Sequence, residues 1–312
     1  MNTRTTHKRH IILFFAMAMI LLLGACSTPG SSQSTGQLLQ NSLNAMKQLK
    51  AVHVDMKLAT TLMGTSNTPS ATSTAPRGIT VNISASGDEV MPDKTSIHLS
   101  LGQGIGNGYS LSEITLGKQI YIQNSKGQWY ALNESSLKGI SGNPFTQINA
   151  ANYNNLLALA QKATYSDHGV QTLNGQSLRH ITVTFDKNAL KDLLNASGQA
   201  DELTALQKQK LDAALNNIKL INPTLDLWID EATSYVHRME LKFGLNINLS
   251  SLLSSVTPTN NSKSSSTPSS ITTNFDAVID YSKFNESITI SAPSNTIPTD
   301  NPISIFGFGG QN

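Results

Sequence analysis

The sequence predicts an α+β fold, in which several helices accompany a large antiparallel β-sheet with one buried face. Apolar and polar residues alternate along many segments, as over residues 52–58, and a period of two is typical of strands with one face in the core. Other segments carry apolar residues at helical spacing. Turn residues such as Gly117-Lys118 and Ser125-Lys126-Gly127 separate the strand-like runs, which favours hairpin connections.

The helical and strand-like segments follow one another in a definite order. The first helix is predicted over 37–50, where Leu39, Leu43 and Met46 lie near one helical face. Further helices are predicted over 151–163 and 201–218, with a short one over 187–195. The predicted strands occupy 52–58, 79–83, 97–101, 109–116, 118–123, 128–131, 178–186, 224–230, 235–248, 275–281 and 287–291.

The N-terminus has the features of a bacterial lipoprotein signal peptide. Three basic residues precede thirteen apolar ones, Ile11 to Leu23, a length that suits a signal peptide and is short for a membrane span. The run ends in Leu23-Gly24-Ala25-Cys26, which resembles the lipobox, so Cys26 is the predicted lipidation site. A short membrane anchor with an incidental cysteine is the alternative. Two acyl chains on Cys26 would hold the protein at a membrane, outside the cytoplasm.

The remaining chain divides into a tether, one domain and a tail. Residues 26–36 are rich in Ser and Gly and predict a flexible tether. Residues 37–293 predict a single domain, and 294–312 a C-terminal tail in which 303–308 could form a short edge strand. Two Ser/Thr/Pro-rich inserts, 64–78 and 254–273, have too few apolar residues to order themselves and predict disordered loops.

Composition narrows the range of functions. Removing residues 1–25 takes away three basic residues, so the formal charge of +2 becomes −1 in the mature chain. A chain without a basic excess is not expected to bind nucleic acid. Cys26 is the only cysteine, so the exported protein has no internal disulfide and its core alone must stabilise the fold.

Four segments resemble the mycobacterial LppX/LprG-type lipoproteins, which belong to the wider LolA/LolB-like group. One is an entry helix running into a strand; the second is a hairpin ending in Trp-Tyr. The third carries an Asn-Gly turn before a strand, and the fourth is a strand pair joined by a short turn. In order, the segments are 43–58, 117–130, 169–185 and 227–241, the last followed by 281–284 and 288–293.

The resemblance implies a strongly curved antiparallel sheet, a half-barrel, whose concave apolar face is covered by helices and holds acyl chains. The two inserts and the apolar tail depart from that pattern. Which residues would line the cavity follows from alternation alone, and a shift of one residue would turn the other face of a strand inward. The candidate lining residues are Val54, Met56, Ile97, Leu99, Ile120, Ile181, Val183, Trp228, Met239, Leu241 and Ile279.

The sequence shows no convincing catalytic or metal-binding motif, and no cofactor is expected. Histidines 53, 98, 168, 180 and 237 lack metal-motif spacing, and no Gly-x-Ser-x-Gly elbow is present. His237 is predicted on the apolar face of its strand. The glycines of 102–108 precede a strand rather than a helix, so they predict a hairpin connection and not a phosphate loop. Trp129 is predicted to be a core aromatic residue.

The leading hypothesis is therefore a non-enzymatic, membrane-anchored lipoprotein that carries or transfers lipid at the cell envelope. Its expected partners are the membrane, through Cys26, and a lipid or acyl-chain ligand; a transporter partner is not identified by the sequence. An adhesion or signalling module that binds a protein on the same fold is the second hypothesis. An envelope hydrolase is the third.

Overall fold

The strands of the described chain form one sheet. The computed structural model describes residues 33–65, 78–102, 108–133, 160, 163–196, 204–248, 270–300 and 305. Its helices are α1 (Thr35–Lys47), α2 (Lys187–Ala196) and α3 (Ala205–Asn217). Its strands are β1 (Ala51–Thr65), β2 (Ile79–Val90), β3 (Lys94–Leu101), β4 (Tyr109–Leu116), β5 (Gln119–Gln123), β6 (Trp129–Asn133), β7 (Thr164–Leu173), β8 (Gln176–Thr184), β9 (Ile218–Ile229), β10 (Val236–Asn248), β11 (Ser270–Ser282) and β12 (Ile297–Pro298).

The strand order is β12-β6-β5-β4-β3-β2-β1-β11-β10-β9-β8-β7. Strands β1 to β6 and β7 to β11 are two antiparallel meanders, and β1 joins them by pairing with β11. The short β12 pairs with β6 in parallel. Within the described residues the two outermost strands, β12 and β7, are not paired with each other, so the sheet is open.

The sheet curves around α1. Leu38, Leu39, Leu43 and Met46 follow helical spacing and put the apolar face of α1 into one core cluster. The same cluster contains side chains of seven neighbouring strands, from β3 to β8. In a flat sheet, β3 and β8 would lie roughly 29 Å apart, which is about three helix diameters. One helix could not contact both strands across that distance. The sheet must therefore bend around α1. We call the face that packs on α1 the inner face.

Cross-strand register keeps the inner face continuous. In an antiparallel pair, residues directly opposite each other point to the same side. One such row crosses seven strands, and all its members are apolar. From β3 to β8, the row is Leu99, Ala85, Met56, Ile279, Met239, Leu227 and Ile181.

Local signals explain several element ends. Thr204 caps α3 by accepting from the Gln207 backbone N–H, while the Gln207 side chain accepts from the Thr204 backbone, a complete capping box. The β7–β8 hairpin turns at Asn174 and Gly175, both with positive φ, as a two-residue turn of this hand requires. Position 87 in β2 requires glycine for a different reason, because a Cβ there would lie 2.3 Å from the Ser96 carbonyl oxygen.

The predicted α+β fold, with a helix on one apolar face of a curved antiparallel sheet, is confirmed. Helix α1 begins two residues earlier and ends three residues earlier than predicted. The predicted helices over 187–195 and 201–218 correspond to α2 and α3. Of the predicted helix over 151–163, only 160 and 163 are among the described residues, and residue 160 is helical.

The structure differs from several strand predictions. Residues 287–291 form no strand, because the chain leaves the sheet after β11. Strand β11 begins at Ser270, inside the insert predicted to be disordered, because β1 extends to Thr65 and offers it a partner. Strand β7 was missed, because an exposed edge strand with Ser, Asp, His and Gln carries no apolar alternation.

Candidate functional site

Ten of the eleven predicted lining residues lie on the inner face. Val54, Ile97, Leu99, Ile181, Val183, Met239 and Ile279 are buried in the main core cluster, and Met56 and Leu241 pack against it. Ile120 lies on the same face by register but belongs to a second cluster, with Ile122, Leu132 and Ile305. Alternation therefore assigned the face of these strands correctly, while their contact with a ligand stays a prediction.

Trp228 lies on the opposite, outer face, so its assignment to the lining was wrong. It stands opposite His180 and Arg238, and its indole stacks on the His180 ring with centroids 4.4 Å apart. The neighbours of Trp228 in β9, Leu227 and Ile229, are the buried ones. The signal was available, because Trp228 shares its alternation parity with Asp226 rather than with Leu225 and Leu227.

Alternation also failed at the start of β10. A β-bulge lies between Val236 and Arg238, so Val236 rather than His237 is fully buried opposite Ile229. His237 is half-buried against the ring of Phe284, with centroids 5.0 Å apart, and burial lowers its pKa. The prediction that His237 continues the apolar face of Met239 was therefore wrong, because the bulge inserts a residue that pattern reading cannot detect.

The inner face has two parts. The covered region consists of the inner-face residues buried in the main cluster, under α1. Its side chains leave little space: the void beside Gly87, between Val54, Met56 and Ile97, measures about 10 Å³. A space of that size scarcely holds one water molecule. The side chains around this void are therefore closely packed.

The open region is the continuation of the inner face toward the far ends of the central strands. Its side chains are half-buried or exposed, and Leu62 is 42% exposed. Cross-strand register makes the region contiguous, since Ile79 faces Leu62 and Leu58 faces both Ile83 and Ala277. Its apolar members are Leu58, Leu62, Ile79, Val81, Ile83, Leu101, Tyr109, Leu241, Phe243 and Phe275.

Aromatic rings form one wall of the open region. Phe243 stacks on Phe275 with centroids 4.7 Å apart, and Phe185 meets Phe243 edge-on at 6.3 Å. Phe185 is buried, whereas the other two rings are half-buried. Such rings offer a large apolar surface to a chain-like ligand at little cost in conformational entropy.

An ion cluster ties the N-terminus of α1 to the sheet edge. Arg179 of β8, itself buried, donates from Nη1 to Glu231 at 2.7 Å and from Nε to Asp167 at 2.9 Å. The Thr35 hydroxyl, at the start of α1, also donates to Asp167 at 2.5 Å. Hydrogen bonding from Arg179 holds the pKa of Asp167 well below its usual range. This cluster therefore fixes the helix that forms the cover.

A second titratable group is buried in the inner face, and no described residue forms an ion pair with it. Glu113 of β4 is only 5% exposed and stands between Ile97 and Ile122 on the adjoining strands. Its Oε1 accepts from the Thr115 hydroxyl at 3.0 Å, while its Oε2 is buried with no hydrogen-bond partner. Burial raises the pKa of Glu113 from 4.5 to about 7. The sequence did not reveal this residue. Leu111 and Ile114 point to opposite faces of β4, so alternation does not show which face of this strand is buried.

A cavity of about 680 Å³ is lined mainly by residues of β1, β10 and β11 and of the turns beside them. Polar and charged side chains dominate its walls, among them Asp55, Asp230, Asp280 and Lys283, beside the stacked rings of Tyr235 and Phe284. Arg238 engages Asp280 through two hydrogen bonds, of 2.6 and 2.8 Å. With this lining the cavity is not suited to hydrocarbon chains.

Within the described residues, no group of three or more His, Cys, Asp or Glu side chains is arranged to hold a metal ion. None of the helices in that part of the chain is long and apolar enough to cross a membrane. Cys26, the tether and most of the tail, including 303, 304 and 306–308, lie outside the described residues.

Comparison with solved structures finds lipoproteins. The chain is similar to LprF from Mycobacterium bovis, with 15% identity, a TM-score of 0.42, and coverage of 83% of this chain and 96% of that one. It is similar to the Mycobacterium tuberculosis lipoprotein LppX, with 16% identity, a TM-score of 0.39, and coverage of 83% and 100%. LppX is one of the lipoproteins that the sequence segments resemble.

A third solved structure is a putative outer membrane lipoprotein-sorting protein domain from Vibrio parahaemolyticus, with 11% identity, a TM-score of 0.22, and coverage of 81% of this chain and 93% of that one. No protein-family model and no curated protein sequence matches the chain. The function proposed below therefore rests on the residues of this chain.

Proposed function

We propose that this protein is an extracytoplasmic lipoprotein, anchored through lipid on Cys26, that binds acyl chains against the open region of its inner face. The observation that carries the proposal is the contiguous row of half-buried and exposed apolar side chains around Leu58, Leu62 and Leu241. Monomeric proteins rarely expose such a patch unless it binds something. Hydrocarbon chains fit it because each buried methylene contributes about 0.8 kcal/mol.

The anchor supports the choice of lipid over other apolar ligands. The predicted signal peptide and Cys26 would place the domain at a membrane surface, where acyl lipids are abundant. A protein that binds and carries lipid needs an apolar surface with few polar groups, and it needs no catalytic residues. The protein would hold lipid at the cell envelope or pass it between membrane sites.

Native mass spectrometry tests the proposal directly. The mature chain, residues 26–312 with Cys26→Ser, would be expressed in a bacterial host and purified without detergent. We expect adduct masses that match acyl lipids and disappear after extraction with organic solvent. An unliganded mass, repeated after incubation with lipid vesicles, would refute lipid carriage and favour the alternative of a protein-binding module.

The anchor has its own test, in cells. Wild-type protein should incorporate an alkyne-tagged palmitate and sediment with membranes, whereas Cys26→Ser should do neither. Retention of Cys26→Ser in the membrane fraction would show that an uncleaved N-terminal segment, rather than lipid, attaches the protein.

A further inference from the structure

The buried carboxyl of Glu113 has no structural use that the described residues show. Among the described residues, Glu113 forms no ion pair, and its only side-chain hydrogen bond there comes from Thr115. An unpartnered polar atom in an apolar site costs about 1–3 kcal/mol, so a site that keeps one normally has a partner for it in some state of the molecule. We propose that lipid binds on the open region of the inner face, and Glu113 lies on the same face, four residues along β4 from Tyr109 of the open region.

While the Thr115 hydroxyl donates to Oε1, the proton of neutral Glu113 is on Oε2. Oε1 accepts from the Thr115 hydroxyl and therefore has the role of the carbonyl oxygen. The proton then resides on Oε2, which becomes a hydrogen-bond donor without an acceptor. Its surroundings favour this neutral form, because Ile97 and Ile122 flank it and burial raises its pKa to about 7.

The charged and titratable groups near Glu113 do not remove this donor. On the described inner face of the strands around it, the titratable side chains are Glu89 of β2, Tyr109 of β4 and Tyr130 of β6. None of them is a cation that would stabilise the ionised carboxylate. The polar group best matched to Oε2–H is therefore an acceptor that brings no donor of its own into the apolar face.

We propose that Glu113 recognises an ester carbonyl of the bound lipid, with its Oε2–H donating a hydrogen bond to the carbonyl oxygen. This inference rests on the proposed lipid-binding function and adds a specificity-determining residue to it. An ester carbonyl accepts hydrogen bonds and donates none, and it lies where the hydrocarbon chain begins. Glu113 would thus select ester-linked lipids over ether-linked lipids of equal chain length.

The experiment compares dipalmitoylglycerol with its dihexadecyl ether analogue, each delivered from cyclodextrin to the mature chain carrying Cys26→Ser. Wild type should bind the ester roughly tenfold more tightly than the ether, the value of one hydrogen bond. Glu113→Met has a similar length without a donor, and should bind both lipids equally. Glu113→Gln retains an N–H donor at the same place and should keep most of the preference.

Infrared spectroscopy supplies a readout that a merely structural role would not change. With the ester carbonyl carbon isotopically labelled, its stretching band should move to lower frequency on binding to wild type and to Glu113→Gln, and not on binding to Glu113→Met. Equal affinity of wild type for ester and ether, or an ester preference that survives in Glu113→Met, would overturn the assignment of Glu113 alone. Failure of wild type to bind either lipid would overturn the proposed function as well.

Discussion

Leu227 and Leu62 are both leucines on the inner face of one sheet, yet Leu227 is fully buried and Leu62 is 42% exposed. The first belongs to the covered region, where α1 fills the concave space, and the second to the open region. Both regions are apolar, so composition does not distinguish them. The difference is one of cover: α1 packs on one part of the face, where apolar residues stabilise the fold, and the side chains of the other part stay half-buried or exposed.

The largest expected effect separates the two regions by stability. Leu227→Ala should lower the free energy of unfolding by about 3 kcal/mol, because it leaves a cavity in a packed core. Leu62→Ala should cost less than about 1 kcal/mol, because its side chain is partly in water already. Urea denaturation would show this as different midpoints at an unchanged slope. Equal losses would contradict the division into covered and open regions.

The pH dependence of stability tests the carboxyl buried beside the covered region. Because the pKa of Glu113 is raised from 4.5 to about 7 on folding, the folded state binds the proton more tightly than the unfolded state. Stability from this group is therefore full below pH 4.5 and is lost as the pH rises to about 7, with a total on the order of 3 kcal/mol.

Glu113→Gln removes that titration and is the matched control. Its unfolding free energy should vary less than that of wild type between pH 4.5 and 7, and at pH 8 it should exceed wild type. Urea titrations at four pH values would measure both curves. Parallel curves for the two proteins would mean that Glu113 titrates normally and is not buried as described.

Substitution of Arg179 tests whether the ion cluster at the start of α1 holds this helix against the sheet. Arg179→Gln should cost about 2 kcal/mol at pH 7, less than for a fully buried pair, because the side chains of Asp167 and Glu231 are 24% and 23% exposed. The depressed pKa of Asp167 means that its contribution is present above pH 3.8 and is lost as the pH falls below that value.

Two further measurements sharpen this prediction. Arg179→Gln should show a smaller loss of stability than wild type on acidification below pH 4, since Asp167 then has no cation to pair with. Arg179→Lys, which keeps the charge without the forked geometry, should lie between the two. An unchanged acid transition in Arg179→Gln would mean that the cluster does not stabilise the helix cover.

The smallest expected effect on stability is the most informative about function. Leu62 and Met63 are neighbours in β1 that point to opposite faces of the sheet, inner and outer. Leu62→Gln should reduce lipid adducts in native mass spectra, while Met63→Gln should leave them unchanged. Each substitution should alter the unfolding free energy by less than about 1 kcal/mol. A loss of adducts in both variants, or in neither, would place the lipid elsewhere.

Much of the fold follows from local patterns along the chain. The alternation of Val52, Val54 and Met56 assigned the inner face of β1, and the helical spacing of Leu39, Leu43 and Met46 located α1. These patterns succeed because each records which side of one element is apolar. They do not record which strand lies next to which, so the pairing of β1 with β11 was beyond them.

The candidate site was only partly predictable for the same reason. Ten lining candidates were placed on the correct face, but Trp228 was assigned inward although its buried neighbours Leu227 and Ile229 have the opposite parity. The bulge at His237 shifts the parity of β10 without any mark in the sequence. Glu113 was missed because no single-strand pattern can show a carboxyl flanked by apolar residues of two other strands.

The sequence by itself determined the alternating strands, the entry helix, the lack of an internal disulfide and the prediction of a lipid anchor at Cys26. All of these depend on neighbours in the chain. Only the tertiary structure decided how much of the inner face α1 covers, and that Glu113 is buried with no counter-ion among the described residues. Those outcomes depend on the curvature of the sheet and on contacts between residues far apart in sequence, which sum over many strands and leave no local signature.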